Sequence, residues 1–229
     1  MHNNRAHFEA MFTESDDPWQ FKSRWYESRK RALTLACLQR RRYASAYEPG
    51  CANGELSAAL APRCDRLLVT DGSEKAVALA RTRLADQAHV QVRQAWLPGE
   101  WPCEVFDLVV ISEWGFYLGA EDLDALAAKT LASLGPGGTV LACHWRRPIK
   151  GCLFDGDQVH RRLAEQLALP VLGHVVDADM RIDVWCRDGL SVAQREGFAD
   201  GDNIRIACER VMVADDCCLC LPPIRVKAA

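Results

Sequence analysis

No apolar run in this 229-residue chain approaches the roughly 20 residues that a helix needs to cross a bilayer. The opening stretch MHNNRAHFEAMF has no apolar core of the kind a secretory signal carries, so the expected location is the cytoplasm. Charge of one sign is not in excess either. With 28 Lys and Arg against 31 Asp and Glu, the formal net charge of −3 gives no bulk electrostatic basis for binding nucleic acid or an anionic membrane. The run Arg40-Arg41-Arg42 reads as a solvated patch ahead of a strand. Paired Cys/His spacings of the zinc type are missing, so no metal is expected. Most of the 11 cysteines stand singly in apolar stretches, as Cys37, Cys51, Cys143 and Cys186 do, where a thiol acts as a small hydrophobe. Cys217, Cys218 and Cys220 cluster, but without a second pair.

What is present is ordinary globular composition, 49% hydrophobic and 26% charged, sized for one large domain or one domain with attachments. FEAMF and FKSRWYESRKRALTLACL repeat apolar residues at three to four, which predicts helices, and the proline of DDPW suits the start of the second. A strand–helix alternation follows. YASAYE, DRLLVTD, HVQVRQA, VFDLVVISE and TVLACHW read as strands. GELSAALA, SEKAVALARTRLAD (capped by Ser73), EDLDALAAKTLASL (closed by GPGG) and DQVHRRLAEQLA read as helices. LPVLGHVV and RIDVWCRD, joined by the short DADM link, suit an antiparallel hairpin. The expected fold is α/β: about seven strands, mostly parallel, helices on both faces, the last pair antiparallel. SVAQREGF suits a short helix and RVMVA a strand in the tail.

Ligands of such sheets bind at the carboxyl ends of the strands where strand order reverses. The first strand ends at YEPGCANGELSAAL, residues 47–60. A dinucleotide fingerprint would require glycine where Ala52 and Glu55 stand, and no Gly-Lys-Ser/Thr follows for a P-loop. Glu55 early in the next helix would repel a diphosphate. What remains is Glu48, Gly50 and Gly54 in E-x-G-x-x-x-G. This allows close backbone approach without a diphosphate nest, and suits a nucleoside ligand with a cationic centre. Asp71, ending the second strand, can accept from both hydroxyls of a ribose. Glu113 ends the fourth strand and His144 the fifth.

In this order and spacing the chain resembles class I S-adenosylmethionine-dependent methyltransferases over about residues 40–188. DPWQFKSRWYESRKRALTLACL, EPGCANGELSAALAPRCD, ISEWGFYL and ACHWRRP resemble the nodulation protein S type, over about residues 16–196. That type N-methylates the glucosamine end of a chito-oligosaccharide.

The resemblance implies a Rossmann-like seven-stranded methyltransferase fold and S-adenosylmethionine as cofactor, with S-adenosylhomocysteine as product. It also implies a small-molecule acceptor, with N-methylation of an amino sugar the leading expectation. A binder that no longer catalyses is the alternative. By position, Gly50 and Gly54 would let backbone approach the methionine part, and Glu48 and Cys51 would be among the cofactor-binding residues. Asp71 and Gly72 would hold the ribose, and Ala95, Trp96 and Leu97 would flank the adenine. Trp96 stands where many relatives carry an aspartate, so apolar contact is expected there. The backbone of Glu113 would lie near the methionine amino group.

His144, Glu113 and Tyr117 are the candidates for taking a proton from the acceptor, with Trp145 and Arg146 facing a sugar. Residues 1–40 would form a helical lid bringing Trp19, Trp25 and Tyr26 over the site. Residues 41–196 would form the methyltransferase domain and 197–229 a tail. Monomer and homodimer are both compatible with the sequence.

Overall fold

The hydrophobic runs that read as strands bury both of their faces, and this builds the protein. In the computed structural model, which describes residues 4–198, the elements are α1 (Asn4–Glu14), α2 (Trp25–Ala36), β1 (Ala46–Pro49), α3 (Glu55–Leu60), β2 (Leu67–Asp71), α4 (Glu74–Arg83), β3 (Val90–Gln94), β4 (Phe106–Ser112), α5 (Ala120–Ser133), β5 (Leu134–Trp145), α6 (Gly156–Leu167), β6 (Val171–Val176), β7 (Met180–Cys186) and α7 (Val192–Arg195). The seven strands form one sheet in the order β3-β2-β1-β4-β5-β7-β6. Strands β1 to β5 pair in parallel, and β7 pairs antiparallel with both β5 and β6.

Alternation along β4 sends Leu108 and Val110 into the core on one face and Val109 and Ile111 into the core on the other. The first core also holds Tyr43, Leu60 and Cys143. The second holds Leu123, Leu126, Val159 and Leu163, the apolar stripes of α5 and α6. Cys51, Cys64, Cys143 and Cys186 are buried free thiols, and Cys37 is half-buried. The Ser73 hydroxyl accepts from the Ala76 amide and caps α4.

Two boundaries differ from expectation. Pro18 does not open a helix: Asp17 accepts from the amides of Phe21 and Lys22, folding residues 17–22 into turns, and α2 starts at Trp25. The GPGG segment does not simply close α5, because β5 begins at once at Leu134 and runs through it, with a register shift against β4. Among the described residues, those up to Leu190, α1 and α2 included, form one compact unit, and a second unit starting at Ser191 contains α7. The strand expected at RVMVA and the Cys217, Cys218 and Cys220 cluster lie outside the described residues. Among the described residues no helix is long and apolar enough to cross a membrane.

Candidate active site

Strand order reverses between β1 and β4, and a cavity of about 470 Å³ lies there, at the carboxyl ends of the strands. Gly50, Ala52, Asp71 and Gly72 line it from β1 and β2. Ala95, Trp96 and Leu97 follow β3, and Glu113 and Trp114 follow β4. Phe8, Phe12, Trp19, Phe21 and Tyr26 close it from the N-terminal segment.

The turn after β1 is built for close approach. The amides of Gly50 and Cys51 both donate to the Thr70 carbonyl, at 2.7 and 2.9 Å, while Gly50 takes φ +77°. A Cβ on Gly50 would lie 2.9 Å from Cδ1 of Trp114, and one on Gly72 would lie 2.4 Å from Cε3 of Trp96. Two indoles therefore rest on two glycines, and neither glycine can gain a side chain without displacing its indole.

Asp71 organises the same turn. Its Oδ2 accepts from the Ala52 amide and its Oδ1 from the Ser73 amide, both at 2.9 Å. Each oxygen keeps a lone pair for a further donor in the cavity. Burial raises its pKa, and these backbone bonds work against the rise. The N-terminal segment docks beside it. Glu9 of α1 accepts from the Ser73 hydroxyl and the Glu74 amide, at the positive end of α4. Asn53 donates to the Asp17 carboxylate at 3.0 Å.

At the tip of β4, Glu113 sits at φ +62°, unusual for a residue with a side chain. Three bonds hold it there. Its amide donates to the Cys143 carbonyl (2.9 Å), its Oε2 accepts from the Trp145 amide (3.0 Å), and its Oε1 meets Nζ of Lys30 at 2.8 Å. Lys30 also pairs with Glu27 at 2.8 Å and lies over the rings of Phe21 and Tyr26. Burial disfavours its charge, but Glu113 and Glu27 outweigh that and hold its pKa above the ordinary lysine value.

A smaller cavity of about 50 Å³ adjoins the turn, lined by Glu48, Cys51, Asn53, Lys30 and Glu113. Oε2 of Glu48 and Oδ1 of Asn53 have no hydrogen-bond partner there. Burial pushes the Glu48 carboxyl up to about 8, and the charge of Asp71 adds to the rise. A carboxyl raised in the fold favours folding below its unfolded pKa, and that stability is lost as pH rises through the folded value. Glu48→Gln mimics the protonated form. Its stability relative to wild type should grow between pH 5 and pH 8, by up to about 1.4 kcal/mol per pH unit. Parallel urea-denaturation profiles of the two proteins over that range would show that Glu48 is not protonated in the fold.

Of the residues expected at the site, Trp19, Tyr26, Gly50, Asp71, Gly72, Ala95, Trp96, Leu97, Glu113 and Tyr117 line the large cavity. Glu48 and Cys51 line the small one instead. Gly54 lines neither. At φ +82° it starts α3, and a Cβ there would lie 3.2 Å from the Ala80 Cα, so it serves the packing of α3 on α4.

The expectation that His144 takes the acceptor's proton is corrected. The ring is fully buried, its Nε2 accepts from the Gly115 amide at 3.1 Å, and its Nδ1 faces Nε2 of His160 at 3.1 Å. Neither nitrogen is open to the cavity. Arg146 is also committed elsewhere, to the carboxylate of Asp157 and the carbonyl of Asp177. Burial pushes the Tyr117 hydroxyl up to about 12, so it enters neutral pH as a donor rather than a base.

The sequence reading missed Trp114 and Lys30. Trp114 lies inside ISEWGFYL, and its indole Nε1 is buried without a hydrogen-bond partner beside Gly50. Lys30 could have been noticed from Glu27 three residues earlier on the same helix face.

This arrangement defines the class I S-adenosylmethionine-dependent methyltransferase fold, with its antiparallel final strands. The family model of nodulation protein S (NodS) matches residues 7–147, and the chain belongs to that family. Nodulation protein S of Rhizobium tropici is 33% identical over 130 residues, which cover 54% of this chain and 53% of the relative. The chain thus spans about half the length of that curated relative. A structure from Pseudomonas syringae, described as a candidate methyltransferase, is 52% identical with a TM-score of 0.65, covering 72% of this chain and 100% of that one. The N-methyltransferase NodS of Bradyrhizobium japonicum WM9, in complex with S-adenosyl-L-homocysteine, is 24% identical with a TM-score of 0.73, covering 81% of this chain and 98% of that one.

Proposed function

We propose that the protein is an S-adenosylmethionine-dependent methyltransferase that N-methylates a small polar acceptor, with the amine of an amino sugar as the leading candidate. The observation that carries this reading is the Asp71 carboxylate at the tip of β2, lining the large cavity beside Gly50 and Gly72. Family membership and the fold support it. The residues fit the cofactor. Gly50 and Gly72 line the cavity with Trp114 and Trp96 packed on them, Asp71 has lone pairs for a ribose, and Ala95, Trp96 and Leu97 offer an apolar flank.

The bound cofactor supplies an electrophilic methyl group on a good sulfonium leaving group. The protein's own task is then to align the acceptor and exclude water. Tyr26, Trp114, Tyr117 and Trp145 supply aromatic walls of the same cavity, and the N-terminal segment acts as a lid over it. Lys30 neutralises both nearby carboxylates, Glu27 and Glu113. Loss of the acceptor's proton therefore rests on desolvation among these aromatic walls, which disfavours the ammonium form.

Asp71→Ala should weaken S-adenosylhomocysteine binding at least tenfold in calorimetry, since each lost bond to a charged acceptor is worth about 1.5–3 kcal/mol. Unchanged affinity would remove Asp71 from the site. Release of S-adenosylhomocysteine over an acceptor panel beginning with glucosamine tests catalysis. Tight binding without turnover on any acceptor would leave a binding protein.

A further inference from the structure

Four elements of the sheet's antiparallel side bring three histidines and one aspartate into a continuous hydrogen-bonded line. Asp183 of β7 stands between His174 of β6 and His160 of α6, and His160 in turn meets His144 of β5. Nδ1 of His160 lies 2.6 Å from Oδ2 of Asp183, Nε2 of His160 lies 3.1 Å from Nδ1 of His144, and Nδ1 of His174 meets Oδ1 of Asp183. His144, His160 and Asp183 are buried, while the His174 side chain is half-exposed. Among the described residues no group of three or more His, Cys, Asp and Glu is placed to hold a metal ion.

The Gly115 end of the line fixes the protons of His144 and His160. The Gly115 amide can only donate, so Nε2 of His144 accepts and carries no hydrogen. A neutral His144 therefore carries its proton on Nδ1 and donates to Nε2 of His160. His160 then carries its own proton on Nδ1 and donates to Asp183. The direction is the same at each step and ends on a carboxylate that also receives Nε of Arg181 at 2.8 Å. Arg181 is in addition 3.7 Å from Asp157. The titratable and charged groups acting on the two buried rings are Asp183, Arg181 and Asp157 around His160, and His160, Lys30 and Asp183 around His144. Burial lowers the pKa of both rings, which agrees with neutral imidazoles.

The acceptor at the end of this line holds a wall of the cavity. Gly115 opens the short turn Gly115–Tyr117, whose Phe116 and Tyr117 line the cavity, and the Phe116 ring packs edge-on against His144. The approach is so close that a Cβ on Gly115 would lie 2.9 Å from Nε2 of His144 and 2.7 Å from Cγ1 of Val159. We propose that His160 and Asp183 are positioning residues: they hold His144 in its Nδ1–H tautomer, and the bare Nε2 then fixes the Gly115–Tyr117 turn as the acceptor-side wall. That the wall faces an acceptor rests on the methyltransferase reading. The tautomer and the anchoring of the turn do not.

The test uses the full-length protein labelled with ¹⁵N. Ring ¹⁵N–¹H correlations should show His144 as the Nδ1–H tautomer, unchanged between pH 8 and pH 6. In His160→Leu, which removes the acceptor of that proton, exchange of the Gly115 amide should rise at least tenfold and the Phe116 and Tyr117 ring signals should shift. His160→Gln should restore both, because an amide can accept from His144 and donate to Asp183 at once. Asp183→Asn serves as a second variant should His160→Leu fail to fold, and should likewise speed Gly115 exchange at least tenfold. An Nε2–H tautomer at His144, Gly115 exchange unchanged in the variant that folds, or no rescue by glutamine would each overturn the proposal. Turnover on glucosamine, read as S-adenosylhomocysteine release, bears on the methyltransferase reading separately. If wild type turns over, His160→Leu should lower the rate about tenfold with cofactor affinity within twofold; an unchanged rate would remove the positioning role.

Discussion

Gly50→Val should abolish S-adenosylhomocysteine binding while the far-ultraviolet circular dichroism stays native-like. Two independent effects act at this position. Valine at φ +77° is forced into the left-handed region, at a cost of about 1–3 kcal/mol, because a β-branched side chain there crowds its own backbone. Its Cβ would also lie 2.9 Å from Cδ1 of Trp114, so the indole must swing into the cavity or the turn must open. Either movement fills or distorts the space beside Asp71. The sheet should survive, because Gly50 lies just beyond the end of β1 and the ladder pairs of β1 with β2 stop at Pro49. Calorimetry on the folded variant decides the matter. Binding at wild-type strength would mean that the ligand lies elsewhere than over this turn.

The sheet was legible because its central strands are buried on both faces. FDLVVIS and TVLACHW are built on the apolar runs 108–111 and 140–143, and a glycine, an aspartate and a glutamate stand at the tips of β1, β2 and β4. Cavity residues that follow a strand end directly, such as Asp71 and Glu113, could therefore be located from order alone. His144 shows the limit of this logic. It lies within the last two residues of β5, but strand alternation turns its ring away from the cavity and under Gly115 while Trp145 lines the cavity. A strand-end position gives a residue's height in the sheet and not its face. The role of Gly54 was hidden for a related reason. A glycine needed for helix–helix approach and one needed for ligand approach look the same in a sequence, and only the 3.2 Å distance to Ala80 separates them. The contacts of the N-terminal segment were not legible in detail, since Asp17 with Asn53 and Glu9 with Ser73 join residues far apart in the chain.

Lys30→Met should destabilise the fold by about 3–5 kcal/mol, the usual result of removing one partner from a buried ion pair. Lys30 bridges Glu27 on its own helix and Glu113 at the tip of β4, with its side chain only 6% exposed. Methionine matches the stem of lysine closely, so the core loses little packing. What it leaves is two carboxylates close together with no cation between them, and each must take up a proton or draw in water. The local damage should be larger than the global figure suggests. Glu113 holds its left-handed backbone through the Lys30 contact and the Trp145 amide, and α2 is tied to the strand tips through the same lysine. The variant should therefore lose cofactor affinity at pH 7.5 as well as melting temperature, by about 2–4 °C per kcal/mol for a domain of this size. Glu113→Gln in the same chain removes one of the stranded charges and should recover part of the loss, since the amide can still accept from Trp145. A Lys30→Met protein whose melting temperature and affinity match wild type would show that the pair contributes nothing and that α2 is held over the site by its other contacts, such as Tyr26 on Trp145 and Arg29 with Asp177. A double variant no more stable than Lys30→Met would show that the stranded charge of Glu113 is not the source of the loss.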